Sequence, residues 1–175
     1  MANTYTLIAS NTLSSSAASV TFSSIPSTYT DLVLRISGRG DANNGTFFDN
    51  INLTFNGSSS ANYSRTLLQG AGSGGASSSR TTNQTSMRMS FATTGSDATT
   101  NTFSNVEIYI PSYTASQNKP LGAFDVTESN NTDVYLGAIA GLWSNTSAIT
   151  SIGLASASGN FVSGSSFFLY GIKNS

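Results

Sequence analysis

The sequence contains no cysteine and no histidine, and only 9% of its 175 residues are charged. Without cysteine the chain forms no disulfide framework and no thiolate metal site. Without histidine it lacks the usual base of a nucleophilic triad and a preferred zinc ligand. The net charge of -1 provides neither the basic stripe that binds nucleic acid nor the polybasic segment that binds membranes. We therefore expect a non-enzymatic protein with no cofactor, no metal, no nucleic-acid partner and no membrane partner.

Long hydrophobic runs are also missing. The longest apolar stretch, residues 136–143, is far too short to span a membrane. The first residues have neither a basic segment nor an apolar segment of the kind found in a secretory signal. We therefore do not expect export by the general secretory route.

What the chain does contain is uncharged polar residues, since Ser, Thr and Asn make up roughly two-fifths of it. Disordered chains combine low hydrophobicity with high charge and few aromatic residues, whereas here 10% of the residues are aromatic. The length of 175 residues suits one folded domain, 1–175.

Apolar and polar residues alternate with period two, which is typical of half-buried strands. The clearest alternation covers residues 32–37, 51–56, 87–91 and 106–110. Short strands separated by Asn- and Gly-rich turns predict an all-β fold, a jelly-roll-like antiparallel β-sandwich. The predicted core includes Leu34, Leu53, Phe55, Ile108 and Ile110.

Two segments are apolar on both faces, residues 134–142 and 167–172. We interpret them as strands covered on one side by the second sheet and on the other by a neighbouring chain or loop. A buried helix is the alternative for residues 134–143, but its glycines weigh against it.

A Gly- and Ser-rich segment at about residues 69–82 is predicted to be a flexible loop. Within it, residues 70–75 match G-x-G-x-x-G, but a dinucleotide site needs a helix to follow, and the next residues are poor helix formers. We expect the loop to order against a partner, with Gln69 and Arg80 in contact with it.

Three other motifs favour ordinary interpretations. Asp125 and Glu128 are a carboxylate pair of glycosidase type, but their spacing puts them on opposite faces of a strand. Asp41, Asn43 and Asp49 offer oxygen ligands for Ca²⁺, yet they lack the EF-hand order and are interpreted as a solvated loop. The tripeptide 39–41 spells the integrin-binding sequence, but it follows a strand, where Gly and Asp are common turn residues.

Aromatic residues complete the set of candidate contacts. Tyr109 and Tyr135 alternate with core residues, which predicts that both lie on an outer sheet face. Trp143 ends an apolar strand and is interpreted as a core or interface residue. The predicted partner contacts are Gln69, Arg80, Trp143 and Tyr109.

Several segments resemble a domain that is frequent among the virion proteins of tailed phages. They are YTLIA at 5–9, VTFSSIP at 20–26, YTDL at 29–32, VEIYIP at 106–111, AGLWS at 140–144 and FLYGI at 168–172. The resemblance spans nearly the whole chain, and its motifs are structural, so it implies no catalytic residues. It implies either a capsid decoration (cement) protein or part of a tail or fibre protein.

The chain has no coiled-coil heptads and no fibre-shaft repeat, which favours decoration. The expectation is a phage virion protein made in the host cytoplasm. It would bind the major capsid protein on the outer surface of the head and associate with itself, as a trimer according to the resemblance. The alternative is a receptor- or glycan-binding tail module, and a carbohydrate-active enzyme is a third, less favoured one.

Overall fold

A computed structural model of the chain describes residues 4–42, 45, 47–72, 74–130 and 134–173. These residues form β-strands and no helix, so the prediction of an all-β fold is confirmed. The strands are β1 (Tyr5–Thr12), β2 (Ser19–Phe22), β3 (Asp31–Ser37), β4 (Phe48–Phe55), β5 (Tyr63–Ala71), β6 (Ala76–Gln84), β7 (Met87–Thr94), β8 (Asn105–Ile110), β9 (Lys119–Thr127), β10 (Tyr135–Trp143), β11 (Ile152–Ser156) and β12 (Ser166–Ile172).

The strands form two antiparallel sheets that pack as a sandwich. The larger sheet has the order β1-β12-β3-β8-β9-β10-β5-β6, and the smaller one has the order β2-β11-β4-β7. Strands from the two ends of the chain pair with each other, β1 with β12 and β2 with β11, and β3 and β4 then join those same pairs. This nested pairing is that of a jelly roll, which confirms the predicted fold class.

Two hairpins are added to this eight-stranded framework. The β5–β6 hairpin lies between β4 and β7 in the chain, and the β9–β10 hairpin lies between β8 and β11. Their strands pair in series beyond β8, with β9 on β8, β10 on β9 and β5 on β10. The added strands therefore extend only the larger sheet.

The core lies between the inner faces of the two sheets, as the alternation predicts. The inner residues of β3, β8 and β4 are fully buried because each strand has one face toward the opposite sheet. The predicted core residues are confirmed, and each is 0% exposed: Leu34, Leu53, Phe55, Ile108 and Ile110.

Two aromatic clusters join the added strands to the smaller sheet. At one end Trp143 stacks on Tyr63 at 6.2 Å between ring centroids and lies 5.4 Å from Phe55. At the other end Tyr135 stacks on Phe91 at 4.2 Å. Tyr135 therefore faces inward, and the prediction that it lies on an outer face is wrong.

The predicted Gly/Ser-rich loop at 69–82 is also wrong. β5 continues to Ala71 and β6 begins at Ala76, so most of the segment is a paired hairpin. The pairing comes from main-chain hydrogen bonds, which do not depend on apolar side chains. As the edge strand of the larger sheet, β6 is exposed along almost its whole length and therefore carries no hydrophobic alternation that the sequence could reveal.

Candidate functional site: the outer face of the larger sheet

The outer face of the larger sheet carries exposed apolar side chains. The register of the paired strands shows which side chains share this face, because residues directly opposite one another on paired strands project from the same face. The large hydrophobic side chains that the described residues leave exposed all project from it: Tyr5, Leu7, Leu68, Tyr109, Phe124 and Leu136.

Four of these lie together across β8, β9, β10 and β5. Phe124 is opposite Ala138, and Ala138 is opposite Leu68. Leu136 is opposite Val126 in the next row. We call this surface the outer patch, and it comprises Tyr109, Pro120, Gly122, Phe124, Val126, Leu136, Ala138, Ala140, Leu142 and Leu68.

Large and small residues alternate in the outer patch. Phe124 is 48% exposed and Leu136 is 47% exposed, whereas Gly122 and Ala140 form a neighbouring row of small residues. Open space surrounds Gly122, where an added Cβ atom would meet nothing within 4 Å. The outer patch is therefore a shallow apolar surface on which protruding side chains, the knobs, alternate with hollows. This shape is suited to contact with another protein surface.

Charged groups lie at the borders of the outer patch. On the β8 side, Arg35 and Glu107 form an ion pair of 2.9 Å. On the opposite side, Arg80 of β6 projects from the same face, opposite Thr66. An apolar centre with a polar rim is the usual anatomy of a protein interface.

The four predicted contact residues do not form one site. Tyr109 belongs to the outer patch, and Arg80 lies on the same face at the border of the patch. The hydroxyl of Tyr109 donates to Asp31 Oδ2 at 2.8 Å, and this bond raises the pKa of Tyr109. Gln69 projects from the inner face and is half-buried.

The core interpretation of Trp143 is confirmed, and the prediction that it contacts a partner is wrong, because its side chain is only 1% exposed. Its position on β10 has the same parity as the inner residue Ile139, so the indole lies in the core. The residues that sequence reasoning missed are Phe124, Leu136 and Leu68. The signal for them was present in part, as the apolar character of both faces of residues 134–142.

Asp125 and Glu128 do not form a catalytic pair. Asp125 is fully buried on the inner face of β9, while Glu128 is exposed beyond the strand and accepts a hydrogen bond from the Asn130 amide at 2.7 Å. Burial raises the pKa of Asp125 to about 7, and the nearby guanidinium of Arg65 partly opposes this shift. Neither Asp125 carboxylate oxygen has a hydrogen-bond partner among the described residues.

The motif at residues 39–41 has a structural role. The Arg39 guanidinium points inward and donates to the main-chain carbonyls of Ser96, Ala98, Thr99 and Thr102. It therefore holds the loop before β8 in place and is not presented to a partner.

The predicted loop acids bind their own chain. Asp41 accepts hydrogen bonds from Asn160, and Asp49 accepts them from Ser156 and Ser158. Asn43 lies outside the described residues. Among those that are described, no group of three or more acidic, His or Cys side chains is placed to hold a metal.

Comparison with protein-family models and with curated proteins gave no match for this chain. Within the described part of the chain, no helix is long and apolar enough to cross a membrane.

Proposed function

We propose that this chain is a non-enzymatic structural protein of a phage virion, a capsid decoration protein that binds the outer surface of the head shell. The proposal takes the outer patch as the surface that contacts the shell. The observation that carries it is the grouping of the exposed large apolar residues of the added strands on one sheet face. The phage context comes from the sequence resemblance alone.

The size of the outer patch bears on how binding works. Each of the ten positions of the outer patch covers about 4.8 Å between strands and about 6.8 Å along a strand, which gives roughly 330 Å² in all. A stable complex usually buries about 800 Å² on each partner. One copy alone should therefore bind weakly, and several linked copies on a repeating shell would gain affinity by avidity.

The small area of the outer patch favours an oligomer. The low charge of the chain, 9% charged residues and a net charge of -1, leaves little like-charge repulsion to oppose close packing of copies. We propose a homotrimer, because decoration proteins of the kind that the sequence resembles often occupy local three-fold axes. Sedimentation velocity of the free protein tests this, and a monomer at tens of micromolar would contradict it.

The main experiment measures binding to shells that lack the protein. The double variant F124S/L136S removes two knobs of the outer patch and should lower occupancy at least about ten-fold, since each side chain loses most of its buried apolar area. The matched control is L7S, because Leu7 is 51% exposed on the same sheet face but lies on the far edge strand, β1.

Two results would contradict the proposal. One is normal shell binding by F124S/L136S in protein whose unfolding transition matches that of the parent. The other is stoichiometry: quantitative mass spectrometry of purified particles should find hundreds of copies, and a handful would indicate the tail module instead.

A further inference from the structure

Six of the seven cationic residues of the chain fall into three groups. Two of the seven cationic residues are buried and bound by main-chain carbonyls, Arg39 as described above and Lys119 through Ala115, Gln117 and Thr146. Arg35 is paired with Glu107. Three further arginines, on β5, β6 and β7, lie at the corner where the added hairpin meets the smaller sheet: Arg65, Arg80 and Arg88.

Arg65 and Arg88 share a pocket at this corner. Arg65 projects from the inner face of β5 and donates from Nη1 to the main-chain carbonyl of Arg88 on β7, so its side chain bridges the two sheets. The space beside this bridge has a volume of about 100 Å³. Its wall includes the polar residues Thr81, Gln84 and Ser86. We call it the arginine pocket.

The arginine pocket is accessible from the open edge of the sandwich. β6 is the edge strand of the larger sheet, and β7 is the edge strand of the smaller one. Arg88 is exposed and Arg65 is half-buried. A partner that approaches this edge therefore meets a guanidinium partly withdrawn from water, where an ion pair is screened less than at the open surface.

The charges around Arg65 act on its pKa in opposite directions. Burial lowers the pKa of Arg65, and the positive charge of Arg88 lowers it further. Asp125 acts in the opposite direction, but its own pKa of about 7 means that it is only partly ionised at neutral pH. A bound carboxylate would relieve the repulsion between the two arginines.

We propose that the arginine pocket receives an Asp or Glu side chain of a protein partner. Guanidinium groups bind carboxylates through paired, charge-assisted hydrogen bonds, and the hydroxyl and amide groups of the wall can complete the coordination. The volume is well below the roughly 300 Å³ at which small-molecule sites begin. It therefore fits the end of a side chain rather than a sugar ring or a nucleotide.

The inference rests on the proposed function in one respect, since it takes the partner to be a protein. It adds a second contact that is separate from the outer patch, because Arg65 projects from the opposite face of the larger sheet. The two contacts can therefore be tested by different variants.

The test titrates the folded protein at low salt with a blocked tetraglutamate peptide, followed by NMR of the arginine side-chain Nε–H groups. A tetraglutamine peptide is the neutral control. We expect the Arg65 and Arg88 signals to shift with tetraglutamate only. R88Q should weaken binding at least about ten-fold, while R80Q, on the other face of the same hairpin, should change it less than about two-fold.

Several outcomes would overturn the inference. Equal binding of tetraglutamine would remove the role of charge, and equal losses in R88Q and R80Q would indicate diffuse attraction without a pocket. Tighter binding of tetragalacturonate than of tetraglutamate would assign the pocket to an acidic sugar. If tetraglutamate fails to bind while F124S/L136S still loses shell binding, the pocket inference is wrong and the proposed function stands.

Discussion

Asp125 should make the stability of this protein fall as the pH rises through neutrality. Its carboxylate is 0% exposed, and a Cβ atom added to Gly137 would come within 2.2 Å of Oδ1. The carboxylate therefore lies against the backbone of β10. Burial raises its pKa from the ordinary 3.8 to about 7 in the folded state.

The direction in which stability changes with pH follows from proton linkage. Between the unfolded and folded pKa values the folded state holds a proton that the unfolded state has released, so raising the pH favours unfolding. A difference of about three units corresponds to about 4 kcal/mol in total, at 1.36 kcal/mol per unit. This contribution is complete below pH 3.8 and is lost as the pH rises through about 7.

The assay is urea unfolding at intervals between pH 5 and 8. Because the chain has no histidine, the side chain that ordinarily titrates in this window is absent. We expect the free energy of unfolding to fall by about 2 to 3 kcal/mol from pH 5 to pH 8. The isosteric variant D125N should flatten the profile and be more stable than the parent at pH 8.

The control is E128Q, which removes an exposed carboxylate three residues away and should leave the pH profile parallel to that of the parent. A flat parent profile, or a D125N profile as steep as that of the parent, would show that Asp125 is not a buried group with a raised pKa.

Three further predictions concern stability. L34A should lower the free energy of unfolding by about 2–5 kcal/mol in urea, because Leu34 is 0% exposed, and a loss below about half a kcal/mol would mean that the core is misplaced. R39M should cost about 2–4 kcal/mol, since it removes charge-assisted hydrogen bonds to one buried and three part-buried carbonyls, and hydrogen exchange should quicken in residues 96–102; unchanged exchange there would contradict the role of Arg39. Deletion of residues 70–79 should destabilise the domain in thermal melts, because it removes much of the β5–β6 pairing, whereas a loop would tolerate it; an unchanged melting temperature would restore the loop interpretation.

The alternation of the sequence predicts the framework strands well. β3, β4 and β8 each have one face in the core, so the apolar residues of that face recur with period two. β6 was missed because it contributes main-chain hydrogen bonds at an edge and needs no apolar face. Ser and Thr residues suit such an edge strand as well as they suit a loop, so the composition of the segment does not distinguish an edge strand from a loop.

The candidate site was predictable only in part. Parity along β8 put Tyr109 on an outer face, and this is confirmed. The same reasoning failed for Tyr135. Residues 134–142 are apolar on both faces, so alternation along that strand does not show which face is the inner one. Of the two interpretations of Trp143, core and interface, parity with Ile139 selects the core.

The sequence by itself determined which residues share a face of each strand, because side-chain direction alternates along a strand and is a local property. The tertiary structure alone decided which strands are neighbours. β5 pairs with β10, bringing Leu68 beside Ala138 from a distant part of the chain, and β7 of the other sheet brings Arg88 to Arg65. Such pairings depend on long-range contacts and the packing of two sheets, and no local pattern encodes them, so the outer patch and the arginine pocket emerge only in the folded chain.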